Sequence, residues 1–246
     1  MTDLSQADSE AAASVRGATA PRTTHPAAVA SSLSGRIGTD ESGKGDYFGP
    51  LVIAAVWADP ATEDLLRDWG VTDSKKISDG RARSLARQIV DKGIPTAVVT
   101  IGPEKYNQLY AKMKNLNRLL AWGHARAIEN LLEKASADVV VTDQFGDPSL
   151  VENALLEKGR RVTLTQMHRA ERDIVVAAAS VMARAEFLRR LEQLSQTIGV
   201  QLHKGAGSAV DQVAARILAQ GGMELLGTVA KCHFKNTQKA QKIKRV

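Results

Sequence analysis

Residues 38–45 read GTDESGKG, a stretch in which two carboxylates stand among glycines and a lysine. The pattern G-x-x-x-x-G-K-[ST], which binds nucleotide phosphates through backbone N–H groups, fails here only at its last position. Gly45 stands where a hydroxyl would hold Mg²⁺, and Asp40 and Glu41 would repel phosphates. The other interpretation is that the two acids bind a metal ion, while the glycines let a ligand approach the backbone.

The residues that follow this loop favour the second interpretation. A nucleotide-binding loop opens a helix, because a helix N-terminus attracts anions. Here residues 47–50 (YFGP) contain a turn signal, and residues 51–57 are a continuous apolar run that predicts a strand. Residues 36–39 predict a short strand before the loop. A loop between two strands argues against a nucleotide cofactor and against a nucleotide hydrolase.

Three further acids follow or precede elements that would bring them to the same place. Asp143 follows the strand pattern of residues 138–142 (DVVVT), and Glu171 and Asp173 precede a helical pattern. Sites in open α/β sheets form at the C-terminal ends of strands. Carboxylates gathered without basic partners repel one another, and their hard oxygen atoms suit Mg²⁺ or Mn²⁺. The alternative for each acid is a helix cap or a solvated loop end.

The composition favours an anionic partner. The chain of 246 residues has a net charge of +6 and a pI of about 9.5, which indicates nucleic acid first and a solvated basic surface otherwise. Cys232 is the only cysteine, so an intramolecular disulfide is excluded and a reducing cytoplasm is the predicted location. No apolar run approaches the roughly 18 residues that span a bilayer, so no membrane partner is expected.

The two ends of the chain differ in composition from the middle. Residues 1–34 are rich in Ala, Ser and Thr and predict a disordered tail, so the folded catalytic domain is expected over residues 35–246. Residues 231–246 contain lysines and an arginine but no acid, which predicts a basic tail. Such a tail is either a contact for nucleic acid or a frayed terminus.

Between these ends, helical and strand patterns alternate. A loop between two strands followed by this alternation predicts an α/β fold with a mixed sheet and helices on its faces. Gly123 is the candidate break in the longest helical pattern. We predict helices over residues 78–92, 104–135, 149–158 and 174–198, and further strands over residues 94–101, 138–142 and 161–165.

Seven blocks of this sequence, in this order, resemble ribonuclease HIII, a branch of the type 2 ribonucleases H. The Gly-Lys-Gly of residues 43–45 distinguishes this branch from its sister, ribonuclease HII, which has Gly-Arg-Gly. One departure is that the family commonly carries an N-terminal domain resembling TATA-binding protein, for which residues 1–34 are too short. The matching blocks are residues 40–51 (DESGKGDYFGPL), 73–76 (DSKK), 117–122 (NRLLAW), 141–145 (VTDQF), 169–171 with 176–184 (RAE, VAAASVMAR), 203–206 with 210–211 (HKGA, VD) and 230–237 (AKCHFKNT).

The resemblance implies a ribonuclease H-like mixed sheet flanked by helices, with a helical C-terminal extension. It also implies an endoribonuclease that cuts the RNA strand of RNA–DNA hybrids and leaves 3′-hydroxyl and 5′-phosphate ends. Two Mg²⁺ or Mn²⁺ ions would be held by Asp40, Glu41, Asp143 and Glu171, one activating water and one stabilising the leaving oxygen. Asp173 competes with Glu171 for the fourth position, because the sister branch uses an aspartate there.

The remaining implied roles concern the substrate. Gly43, Lys44 and Gly45 would bring backbone groups to the 2′-hydroxyl that distinguishes RNA from DNA, while Lys44, Lys75 and Lys76 would contact phosphates. The only macromolecular partner implied is the RNA–DNA hybrid, and a monomer is expected. The alternative function is a non-catalytic nucleic-acid-binding module on the same fold, which carboxylates facing phosphates disfavour. His124, on the longest predicted helix, is interpreted as structural rather than catalytic.

Overall fold

The computed structural model of the protein describes residues 35–244, with side chains through residue 243. The predicted disorder of residues 1–34 and the last two residues of the predicted basic tail lie outside the described residues. The sheet, the helices and the candidate site below all belong to the described part.

A five-stranded mixed sheet forms the centre of the fold, as predicted. Its spatial order is β3-β2-β1-β4-β5. The pairs β1–β2 and β2–β3 are antiparallel, whereas β1–β4 and β4–β5 are parallel. The strands are β1 (Gly35–Ser42), β2 (Leu51–Ala58), β3 (Thr96–Ile101), β4 (Ala137–Asp143) and β5 (Thr163–Met167).

Parallel pairing of β1 with β4 brings the predicted site residues to one edge of the sheet. Thr39 lies beside Thr142 in the register, so the next residue on each strand is an aspartate, Asp40 on β1 and Asp143 on β4. Both strands run in the same direction and end at this edge. The β1–β2 connection, which contains the glycines, begins at the same place.

Helices cover both faces of the sheet. On one face β2 contributes Val52, Ala54 and Val56 to a core shared with α6, and on the other it contributes Leu51 and Ile53 to a core shared with α4. Because β2 is buried on both faces, its sequence is continuously apolar instead of alternating. The helices are α1 (Pro60–Asp68), α2 (Asp79–Asp91), α3 (Pro103–Met113), α4 (Leu116–Leu132), α5 (Ser149–Ala154), α6 (Ile174–Ile198), α7 (Ser208–Val229) and α8 (Lys235–Lys244).

One predicted helix is two helices, and its predicted break is wrong. The chain turns at Lys114, which has the left-handed φ of 50°, and Asn115 then caps α4 by accepting from the N–H of Arg118. Gly123 lies inside α4, where a Cβ would stand 2.6 Å from the Cδ1 of Ile53. This glycine therefore serves close packing of helix on sheet and not a change of chain direction.

The predicted basic tail is the helix α8. Ala240 on this helix is fully buried, and Ile243 packs against the same core as α6. Lys239 pairs with Asp211 of α7 at 3.5 Å. The apolar face of α8 therefore docks on the domain, whereas Lys235, Lys239 and Lys242 are exposed. Within residues 35–244, no helix combines the length and apolarity that crossing a membrane requires.

Candidate active site

A cavity of about 620 Å³ opens at the edge where β1 and β4 end. Three of the four predicted metal ligands line it, namely Asp40, Glu41 and Asp143. The glycine loop, which we define as residues 43–49, forms another wall through its first four residues. Three of the predicted acids and the backbone of the glycine loop thus face the same space.

Asp40 and Glu41 are adjacent carboxylates with opposite electrostatic environments. Burial, and then the charge of Glu41, raise the pKa of Asp40 to about 8. Burial also acts to raise the pKa of Glu41, but the hydrogen bond and charge of His124, with a contribution from Lys44, lower it to about 2. Two ionised carboxylates cannot share this partly buried edge without a cation. The donor set and its charge therefore fit a hard divalent cation.

His124 orients the carboxylate of Glu41 through a hydrogen bond. This fully buried residue of α4 places its Nε2 atom 3.2 Å from Oε2 of Glu41. Its Nδ1 atom lies 2.9 Å from the hydroxyl of Thr39 and 3.4 Å from that of Thr142. The structural interpretation of His124 is thus incomplete, because the residue orients a candidate ligand. The sequence carried no local signal for this, since the two residues are 83 positions apart.

Glu171, the fourth predicted ligand, lies on a turn that is hydrogen-bonded to Asp143, the third. Asp143 accepts a hydrogen bond from the backbone N–H of Ala170 at 3.3 Å. Ala170 starts the short 3-10 turn that contains Glu171, and Arg169 enters this turn with a left-handed φ of 58°. Glu171 is partly buried but does not line the cavity with the other three acids.

Asp173, the competitor of Glu171, has structural partners on both carboxylate oxygens. Its Oδ1 atom caps α6 by accepting from the N–H groups of Val175 at 2.9 Å and Val176 at 3.4 Å. Its Oδ2 atom pairs with Arg36, which also contacts Glu63 at 2.5 Å. These contacts fix the start of α6 relative to β1.

The four acids approach one edge without closing into a ligand cage. Within residues 35–244, no three Asp, Glu, His or Cys side chains stand close enough together to ligate one ion as they are placed. Asp40, Glu41 and Asp143 line a common space, which Glu171 does not line.

The two outer glycines of Gly-Lys-Gly play different roles. Gly43 has a φ of 88°, and a Cβ there would lie 2.1 Å from the carbonyl oxygen of Pro50, so only glycine fits. Gly45 is exposed, and a Cβ there would meet no atom within 4 Å. Gly43 therefore shapes the loop, whereas Gly45 leaves its backbone accessible. Lys44 lies between them and pairs with Glu41 at 3.3 Å.

The two predicted lysines of residues 73–76 are not equivalent. Both are exposed on the short 3-10 turn Ser74–Lys76, which Asp73 caps by accepting from the N–H of Lys75 at 3.1 Å. Lys75 lines the cavity, whereas Lys76 does not.

Two basic residues at the cavity were missed as site residues, although both stand in the matching blocks. Arg184 of α6 donates to the carbonyl of Ser74 at 2.9 Å and to Asp79 at 2.5 Å. Lys204 pairs with the other oxygen of Asp79 at 2.5 Å, and both basic residues line the cavity. This network ties α6 to the turn that carries Lys75. Its partners are 105 to 125 residues apart, so no local pattern indicated it.

The family model for ribonuclease HII matches residues 37–237. Ribonuclease HIII of Protochlamydia amoebophila is 47% identical over 203 residues, which cover 82% of this chain and 67% of that protein. Ribonuclease HIII of Chlamydia pneumoniae is 46% identical over 214 residues, which cover 85% of this chain and 71% of that protein.

Solved structures of ribonucleases HIII and H2 also resemble this chain. Bst-RNase HIII in complex with Mn²⁺ superimposes with a TM-score of 0.80 at 34% identity, covering 87% of this chain and 71% of that one. The ribonuclease H2 of Pyrococcus horikoshii gives a TM-score of 0.72 at 25% identity, covering 86% and 99% of the two chains. The mixed sheet and its flanking helices are therefore shared with these proteins.

Proposed function

Because the chain belongs to the ribonuclease HII family, we propose that it is an endoribonuclease that hydrolyses the RNA strand of RNA–DNA hybrids. The observation that carries the proposal is one cavity lined by Asp40, Glu41 and Asp143 and by the accessible backbone at Gly45. The three acids suit phosphodiester hydrolysis, and the accessible backbone suits contact with a sugar. The products are proposed to carry 3′-hydroxyl and 5′-phosphate ends.

The proposed metal ligands are Asp40, Glu41, Asp143 and Glu171, for two Mg²⁺ or Mn²⁺ ions. Support comes from the oxygen donor set, and from the pKa of Asp40, which burial and then the charge of Glu41 raise. When bound, such ions supply an activated water and stabilise the charge on the leaving oxygen. The Mn²⁺ complex of Bst-RNase HIII supports the choice of a divalent cation.

Glu171 is proposed over Asp173 as the fourth ligand. Both oxygens of Asp173 have structural partners, in the cap of α6 and in the pair with Arg36. Glu171 lies on the turn whose first backbone N–H bonds to Asp143, and no hydrogen bond or ion pair of its carboxylate is found within residues 35–244, so this carboxylate is the one proposed to bind the metal.

The substrate groups act from the remaining walls of the cavity. The backbone of Gly45 is proposed to contact the 2′-hydroxyl of the RNA strand, which is the group that distinguishes RNA from DNA. Lys44 and Lys75 stand at the cavity and are proposed to bind flanking phosphates. Lys76 is exposed but does not line the cavity, and is proposed to act only through long-range attraction.

A cleavage assay with an end-labelled RNA–DNA hybrid tests this function. We expect cleavage within the RNA strand in Mg²⁺ or Mn²⁺, none after addition of EDTA, and none of an all-DNA duplex of the same sequence. The alternative is a module on this fold that binds the hybrid without cutting it. Tight binding of the hybrid with no cleavage in either metal would establish that alternative and exclude the enzyme.

A further inference from the structure

Lys231 is a fully buried lysine without a carboxylate ion pair among residues 35–244. Its ammonium instead donates to two backbone carbonyl oxygens of the glycine loop, those of Asp46 at 2.8 Å and Gly49 at 2.7 Å. These contacts join parts of the chain that are 185 and 182 residues apart. Burial lowers the pKa of Lys231 to about 7, against an opposing contribution from the charge of Asp46. Burying this group costs free energy, so its specific partners matter.

Backbone pairing accompanies the ammonium contacts. The N–H of Lys231 donates to the carbonyl of Tyr47 at 2.9 Å, and the N–H of Gly49 donates to the carbonyl of Val229 at 2.9 Å. Phe48 and Ala230 form an antiparallel bridge between these two bonds. Residues 229–231 therefore act as a short partner strand for the end of the glycine loop. The lysine side chain then binds the two carbonyls on either side of this pairing.

Lys231 holds Asp46, the neighbour of the accessible backbone at Gly45. Asp46 lies directly after Gly45 and lines the cavity. Its side chain also accepts from the N–H of Gly205 at 2.6 Å, and its own N–H donates to the carbonyl of Gly43 at 3.3 Å. The orientation of the peptide groups around Gly45 therefore depends on how Asp46 is fixed.

We propose that Lys231 is a positioning residue for recognition of the RNA strand: by binding the carbonyls of Asp46 and Gly49 it fixes the glycine loop so that Gly45 presents its backbone to the ribose. This inference rests on the proposed function. Asp40, Glu41 and Asp143 lie on β1 and β4, whereas the ammonium of Lys231 bonds to the glycine loop. Loss of its ammonium therefore weakens substrate recognition more than the chemical step.

The test is the substitution Lys231→Met, which keeps the length and the apolar stem but removes the donors. We expect the KM for the hybrid to rise at least about tenfold, corresponding to the loss of two buried hydrogen bonds. We expect kcat at saturating hybrid to stay within about threefold. Wild-type protein that does not cleave the hybrid would refute the proposed function itself, independently of any variant.

The matched control is Asn107→Ala. Asn107 of α3 holds the same segment, because it donates to the carbonyls of Ala230 at 2.9 Å and Gly227 at 3.2 Å and accepts from the N–H of Cys232 at 2.9 Å. Asn107 bonds to this segment and not to the loop carbonyls that Lys231 binds, so Asn107→Ala should lower the Tm but raise KM much less than Lys231→Met does. Equal effects of the two substitutions on KM would show that Lys231 contributes only to the stability of the fold, and would overturn the proposal.

A measurement on the wild-type protein covers the case in which Lys231→Met does not fold. Amide hydrogen exchange at Tyr47 and Gly49, whose N–H groups bond to Gly205 and Val229, reports whether the loop is fixed before substrate arrives. We expect both amides to exchange at least about 100-fold more slowly than unstructured amides in the free protein. Exchange at the unstructured rate would show that nothing holds the loop, and the proposal would be wrong.

Discussion

The three predicted metal ligands that line the cavity, which we call the acidic wall, and the glycine loop lie at one cavity but are held by different kinds of contact. Asp40, Glu41 and Asp143 stand at the ends of β1 and β4, which are interior, paired strands of the sheet. The glycine loop is held instead from residues 205 and 229–231, far away in the chain. We therefore expect the chemical step to depend on the sheet, and recognition of the substrate to depend on long-range contacts. Variants in the two regions should then separate kcat from KM.

The largest effect is expected on the acidic side, at Asp143→Asn. The substitution keeps the size of the side chain but removes a charge that is proposed to bind metal, so kcat should fall at least about 10³-fold. Binding of the hybrid in EDTA should be unchanged or slightly tighter, because a charge facing the phosphates is gone. Turnover and binding are measured on the same preparation.

Asp147→Asn is the control for that variant. Asp147 lies four residues later, does not line the cavity, and accepts from the N–H of Ser149 at the start of α5. The amide oxygen of an asparagine can accept the same hydrogen bond, so activity and stability should both stay near wild type. If Asp143→Asn kept wild-type turnover in Mg²⁺, the proposed acidic site would be wrong.

The second prediction compares two glycines within the loop. Gly43→Ala should destabilise the fold by more than about 1 kcal/mol and raise KM, since the new Cβ meets the Pro50 carbonyl at a positive φ. Gly45→Ala should leave the Tm unchanged, because its Cβ points into open space, but it should raise KM by covering the backbone. Thermal unfolding and Michaelis curves measure both. A Tm loss for Gly45→Ala as large as that for Gly43→Ala would contradict the assigned roles.

The third prediction concerns the pH dependence of stability on the recognition side. Lys231 has a pKa of about 7 in the folded protein and 10.5 as its ordinary value, so the unfolded chain binds more protons between these pH values. The free energy of unfolding should therefore rise with pH across this window for wild type, relative to Lys231→Met. Below about pH 7 the difference between the two proteins should level off. Urea titrations at pH 6, 7, 8 and 9 measure the difference, and a flat difference would contradict a buried, depressed lysine.

The sequence predicted elements well where the signal was local. The bounds of α6 matched the predicted residues 174–198, and α2 begins where the helix over residues 78–92 was predicted, with Ser78 as its cap, which accepts from the N–H of Arg81. The helix α1 was missed although Asp59 and Pro60 carry a standard N-terminal signal. Gly123 was misinterpreted because a glycine needed for packing and a glycine that ends a helix look alike in sequence.

The candidate site was predictable in part, for a physical reason. The acids of β1 and β4 could be placed together because parallel strands end at one edge of a sheet. Nothing local indicated that His124 contacts Glu41, or that Lys231 contacts Asp46. Contacts between residues so far apart depend on how the whole chain packs. The missed groups are thus those that orient other residues.

The smallest effect is expected from charge on α8, whose lysines belong to the predicted basic tail, for which the sequence left a nucleic-acid contact and a frayed terminus as alternatives. Deleting residues 239–246 would also remove the buried Ala240, so loss of affinity could not be separated from loss of packing. The sharper variant is the double substitution Lys235→Gln and Lys242→Gln, two exposed lysines on this helix. If both bind phosphates, the slope of log K against log salt should flatten by about 0.9 for each lost contact.

The matched control for this last variant changes the same charge elsewhere. Lys92 at the end of α2 and Lys105 on α3 are exposed and do not line the cavity, so their double substitution by glutamine should leave the slope unchanged. Turnover at saturating hybrid should stay at wild-type level in both double variants, because neither touches the acids. Affinity for the hybrid is measured in EDTA between 50 and 300 mM salt. Equal slopes for the two double variants would show that α8 contributes only net charge, and that recognition depends on the cavity and its loop alone.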